Sequence, residues 1–110
     1  MSEWKAIKKE EIDKILLNAR FLLEGIPKDF WRLIKLKEPE KWVQNPYGDE
    51  GGGFWVVAVF GYRCIYFNDI EEGFNISSFK EWGKIDEYNC EQTELVHLIK
   101  EIVSARFKLV

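Results

Sequence analysis

The apolar positions of this chain change period twice, and those changes divide it into helices, strands and a final helix. Between residues 8 and 24, Ile12, Ile15, Leu16, Ala19, Leu22 and Leu23 recur at helical spacing and fall on one face. Gly25 follows as a stop, because glycine accepts the left-handed backbone that closes a helix. Pro27 suits the first turn of a second helix, where its missing N–H removes no bond. That helix is expected to turn Phe30, Leu33 and Ile34 inward and to end before Pro39. The two helices read as a hairpin covering one face of a sheet.

From Lys41 the period shortens. Lys41–Gln44 reads as a short edge strand, stopped by Asn45-Pro46. The stretch from Pro46 to Gly53 is a loop by composition. Phe54–Phe60 follows, apolar on both alternating faces, and so predicts a central strand covered on both sides. Gly61-Tyr62 fits a two-residue type II′ turn with glycine first. Arg63–Phe67 is the return strand and residues 68–73 a second turn. Phe74–Ser77 alternates as a half-buried strand does, and Lys84–Tyr88 is a candidate last strand. Asn89 with Gln92 three residues later resembles a capping box that opens the final helix. Leu95, Leu98, Ile99, Ile102 and Phe107 would be its buried stripe. Strands in succession without crossover helices imply an α+β fold: an antiparallel meander of about 4 strands, an N-terminal helical hairpin and a C-terminal helix. Residues 1–110 read as a single domain.

Composition narrows the class. At 46% hydrophobic and 32% charged, the chain is globular rather than disordered. The net charge is −3, and Lys5, Lys8, Lys9 and Lys14 are interleaved with Glu3, Glu10, Glu11 and Asp13. A mildly acidic chain without a basic cluster repels phosphate backbones, so no nucleic acid is expected as a partner. No apolar run approaches the roughly 20 residues of a membrane span, and the first residues lack a signal-peptide core, so no membrane partner is expected either. Cys64 and Cys90, without a secretory signal, point to a reduced cytoplasmic chain. With His97 they are too few for a zinc centre, and no cofactor is expected.

Candidate chemistry concentrates in two loops. Asp49 and Glu50 precede Gly51-Gly52-Gly53, where their charge would repel phosphate, so the glycines read as a bulged strand entry. Asp69, Glu71 and Glu72 lie in the turn after the return strand. A hairpin around position 61 would bring both acidic groups to one end, about one strand spacing of ~5 Å apart plus loop. Three readings fit: a paired-carboxylate hydrolase, a divalent-metal site, or an acidic rim that steers a protein partner. Tyr47, Trp55 and Phe74 are the aromatic anchors of such a rim. His97 has no triad neighbours in the pattern, Ser77 and Ser78 lack a nucleophile elbow, and Cys64 lies on a core strand where a thiol is inert. Tyr66 and Phe67 read as core rather than as a base-stacking platform.

The stretches PYGDEGGGFWVVAVFG (46–61) and YFNDIEEGFN (66–75) resemble a family of small bacterial single-domain proteins of unassigned function, over residues 38–98. That resemblance implies a bacterial stand-alone protein and gives no activity or site residue. Ile26–Phe30 resembles one superfamily of bacterial immunity proteins, whose later glycine and tryptophan pattern is not met here. The combined expectation is a cytoplasmic protein-binding module, of the kind that neutralises a toxin by binding it. The alternative is a small hydrolase or metal-binding domain using Asp49, Glu50, Asp69, Glu71 or Glu72.

Overall fold

A computed structural model describes residues 5–45 and 52–107, with side chains through residue 105. Tyr47, Asp49 and Glu50, and the Phe107 side chain, lie outside the described part. The elements run α1 (Lys9–Leu22), α2 (Gly25–Ile34), β1 (Lys35–Trp42), β2 (Phe54–Phe60), β3 (Arg63–Asn68), β4 (Gly73–Ser78) and α3 (Leu95–Phe107). The four strands form one antiparallel meander in chain order, with the N-terminal helices and α3 packed on it.

The hairpin turns as its sequence demands. Gly61 has φ of 61°, and Tyr62 keeps a negative φ, the type II′ signature. One bulge interrupts β2: Val56 pairs with Tyr66 and Ala58 with Ile65, leaving Val57 between them as the extra residue. Val57 and Ala58 therefore both face the helices, while Val56 and Val59 face the other side.

Two cores result. On the helix side Val57, Ile65, Phe67 and Phe74 pack against Ile12, Ala19, Leu23, Trp31, Ile34, Leu95 and Ile99. On the far side Phe54, Val56, Cys64 and Tyr66 pack with Trp42, Phe79 and Ile85. Among the described residues, no helix covers that second face. It is closed by residues 79–94, an irregular strap that crosses beneath the sheet.

The strap replaces two expected elements. Lys84–Tyr88 is not a strand; Lys84 makes one isolated bridge to Val43, and the Ile85 N–H donates to the Val43 carbonyl at 2.9 Å. Nor does the last helix begin near Asn89, for α3 starts at Leu95. Asn89 is claimed by the sheet instead. Its side-chain amide donates to the Ile76 carbonyl at 2.7 Å, and its N–H donates to the Tyr66 hydroxyl at 2.7 Å. Asn75 binds the Glu91 peptide from both ends, donating to its carbonyl at 3.0 Å and accepting its N–H at 2.8 Å. Asn68 donates to the Asn89 carbonyl at 3.0 Å, and Ser77 Oγ accepts the Glu87 N–H at 2.9 Å. Asn68, Asn75 and Ser77 are all buried, and strap peptides satisfy them. The same contacts cap the free edge of β4, which would otherwise invite pairing with another chain.

The second helix ends before Pro39 as expected, at Ile34, where the Lys35 N–H donates back to the Trp31 carbonyl. Two further expectations are corrected. The edge strand is not Lys41–Gln44, because β1 begins at once at Lys35 and ends at Trp42. Pro39 lies inside β1, in the irregular stretch between Lys35 and Glu40; an edge strand tolerates a residue that cannot donate. Leu33 points to solvent, and Trp31 takes its expected place inside. Trp31 and Ile34 are the buried residues of α2, and half-buried Phe30 packs on the same core as expected, its ring 5.9 Å from that of Phe60. Leu22 is likewise exposed, at the margin of the apolar face of α1.

Gly73 shows how closely the strap approaches. A Cβ there would overlap the Glu91 carbonyl and the Gln92 backbone, which cannot give way without lifting the strap. Gly61 has open space around it, and only its positive φ resists a side chain. Gly73→Ala is therefore expected to cost about 3 kcal/mol, as steric strain in a packed interior does, and Gly61→Ala about 1 kcal/mol. Urea unfolding of both variants measures the difference; equal midpoints would show that the strap is not held against β4.

Candidate functional site

The turn between β3 and β4 is built by Asn68. Its side-chain oxygen accepts the Ile70 N–H at 3.0 Å and the Glu71 N–H at 3.3 Å, fixing the chain reversal. Glu72 completes the turn with φ of 58°, the sole non-glycine in the left-handed region among the described residues. The segment Asp69–Glu72 is thus held in shape at one end of the sheet.

Its carboxylates go to different tasks. Asp69 Oδ2 accepts the Ile7 N–H at 2.7 Å, and the Trp55 indole N–H donates to the Ile7 carbonyl at 2.9 Å. Trp55 and Asp69 come together as two jaws that hold the backbone N–H and carbonyl of Ile7, just ahead of α1. Lys41 caps the group, its Nζ 5.2 Å from the Trp55 ring centroid. Burial pulls the Lys41 ammonium below its usual range, while the charge of Asp69 works against that shift. Glu71 is half-buried beside the turn, and Glu72 is exposed.

Phe74 is not an exposed anchor. It is 3% exposed and its ring lies 4.9 Å from that of Phe67 across the β3–β4 pair. It belongs instead to the floor of a cleft of about 290 Å³. The α1 wall of this cleft is Ile15, Asn18, Ala19 and Leu22. The sheet supplies Phe67, Gly73 and Phe74, with Glu72 at the margin. Thr93, Glu94, Leu95 and Val96 close it where the strap runs into α3. The lining is mostly apolar, includes Glu72 and Glu94, and among the described residues holds no lysine or arginine. Glu94 Oε1 stands 3.7 Å from the exposed imidazole of His97, one turn into α3.

Sequence reasoning named Glu72 and Phe74 but not Glu94, Asn18 or Thr93. The missed residues come from α1 and the strap, and Glu94 was read as lying inside a helix that begins later. The carboxylate that joins Glu72 is supplied by the strap, whose course no local pattern announces.

Other reactive groups are committed elsewhere. The Ser77 hydroxyl donates to the Ser78 carbonyl at 2.7 Å and accepts the Glu87 N–H, so no base stands ready to activate it. Among the described residues, no group of three His, Cys, Asp or Glu side chains is placed to hold a metal ion, and no helix is long and apolar enough to cross a membrane. Comparison of the chain with protein families, with curated proteins and with solved structures finds no match.

Burial pushes the Cys64 thiol up to about 12 and the Tyr66 hydroxyl up to about 12, the latter against the hydrogen bond it makes with Asn89. Both are raised acids, so the fold holds their protons more tightly than the unfolded chain does. Their contribution is whole below the ordinary values of 9.0 and 10.0, and it is lost as pH climbs to about 12. Chemical unfolding followed from pH 8 to 12 should show a monotonic fall in stability across that window. In the folded protein at pH 8, exposed Cys90 should react with a thiol reagent and buried Cys64 should not. Two fast thiols would contradict the placement of Cys64. Trp55→Phe removes one jaw of the Ile7 clamp; it should cost about 1 kcal/mol and speed exchange of the Ile7 amide in hydrogen-exchange measurements.

Proposed function

We propose that this chain is a small protein-binding module, and that the cleft between α1, the β3–β4 turn and the start of α3 is the centre of its contact surface. The observation that carries the reading is the make-up of that cleft: an apolar floor, two glutamates and, among the described residues, no lysine or arginine in the lining. Apolar walls supply the area that association buries, and negative charge at the rim steers a basic partner and selects against acidic ones. Phe67 and Phe74 form the rigid base, because both are locked into the sheet. The partner class that fits is a basic protein. A toxin effector neutralised by binding is one such partner, in keeping with the likeness of Ile26–Phe30 to immunity proteins.

A hydrolase or divalent-metal reading draws on the same acidic loops, and nothing in the described site favours it. Asp69 is engaged by the Ile7 amide, and Glu72 and Glu94 line an open cleft rather than a closed apolar pocket that would raise one acid for proton transfer.

Affinity capture with wild type and with the Leu22→Ser, Glu72→Gln, Glu94→Gln triple variant tests the module. All three sites are exposed or at the rim, so the variant should keep a midpoint close to wild type. A protein retained by wild type and lost by the variant is the expected result. The same proteins retained by both would overturn the reading.

A further inference from the structure

We infer that the cleft receives a lysine side chain presented by the partner, its four-carbon stem along the apolar walls and its ammonium between Glu72 and Glu94. This deepens the protein-binding reading above and rests on it.

Size comes first. Sites for small organic ligands usually enclose about 300–1,000 Å³. At about 290 Å³ and open to solvent, this cleft suits one long side chain rather than a large ligand. Shape comes second. Ile15, Ala19, Leu22, Leu95 and Val96 offer aliphatic walls, and the ring of Phe74 lies at the base. A chain of methylenes matches such walls, as long basic side chains bury their stems while the charged head stays wet. Charge comes third. Glu72 and Glu94 come from different elements and stand on the same lining, Glu94 with the His97 imidazole 3.7 Å from its Oε1, and among the described residues no lysine or arginine lines the cleft. Glu72 closes the turn with its backbone in the left-handed region, which places its Cα at the cleft margin.

Two alternatives fit the lining less well. An acidic side chain would be repelled by both glutamates. A bare metal ion would find two carboxylates among apolar walls, and among the described residues no third acidic, histidine or cysteine ligand is grouped with them.

The test uses the whole chain labelled with ¹⁵N and three probes: Nα-acetyl-lysine methylamide, the same compound acetylated at Nε, and Nα-acetyl-glutamate methylamide. Titrations follow the backbone amides of Ala19, Gly73, Thr93 and Leu95. The free-amine probe should shift these amides saturably. Nε-acetylation should weaken binding roughly fivefold at low salt, as expected for an exposed charge contact. The glutamate probe should not bind. In Glu72→Gln/Glu94→Gln, the two lysine probes should bind equally.

Three results would overturn the inference: no saturable shift with the free amine, equal binding of both lysine probes to wild type, or an unchanged preference in the double glutamine variant. If the probes fail while capture of a partner still depends on the cleft residues, the lysine assignment falls and the binding module stands. If the amine binds but capture ignores the cleft variants, the cleft is a site for free amines and the partner assignment falls.

Discussion

Everything in this molecule follows from one constraint: β2 is apolar on both faces, so both faces of the sheet must be covered. Val57 and Ala58 face one way and Val56 and Val59 the other, with Phe54 and Trp55 split between them. Leaving either side wet would expose several fully buried aliphatic side chains, at about 2 kcal/mol each. The three helices cover one side only. The other side is closed by a strap with no regular secondary structure, and such a segment brings the cost of burying its own peptides. Asn68, Asn75, Ser77 and Tyr66 meet that cost with side-chain hydrogen bonds to strap peptides, much as a fifth strand would with its backbone.

The strap also explains the position of the cleft. It passes along β4, bridges Phe74 at Thr93, and then turns into α3 at Leu95. Its exit is therefore fixed opposite the β3–β4 turn, and α1 lies against α3 on the same side. The space between these parts is the cleft. Gly73 sits at the crossing: the absence of a side chain lets the strap lie close, and that closeness places Glu94 on the same lining as Glu72. The covering of the second face and the geometry of the site are thus one problem with one solution.

The meander was legible because its signals are local. Two apolar faces marked β2, Gly61 marked the turn, and alternation marked β4. The helical hairpin was legible from periodicity, although its phase was not: Trp31 and Leu33 are both large and apolar, and only the starting residue of α2 decides which one turns inward. β1 was under-read because Pro39 and five charged residues mask it, yet an edge strand with one face in water accepts both. The strap was misread for a more general reason. Asn89 and Gln92 have the spacing of a helix cap, and the same asparagine can bind a sheet edge instead. Which role wins depends on Tyr66 and Ile76, more than ten residues away, and no local window contains them.

The same distinction governs the acidic residues. Asp69, Glu71 and Glu72 are near neighbours in sequence and equal in charge, so the sequence treats them alike. Folding separates them by asking which one meets a backbone donor. Asp69 meets the Ile7 amide and becomes structural, with Trp55 holding the carbonyl of the same residue. Glu72 is exposed and lines the cleft. A carboxylate that already accepts from a backbone amide and lies near a lysine has less attraction left for a visiting cation. One that stands exposed on an open cleft competes with water, and for Glu94 also with the His97 imidazole 3.7 Å from its Oε1. That difference in solvation, rather than the density of acidic residues along the chain, is what singles out Glu72 and Glu94 as the groups a partner would meet.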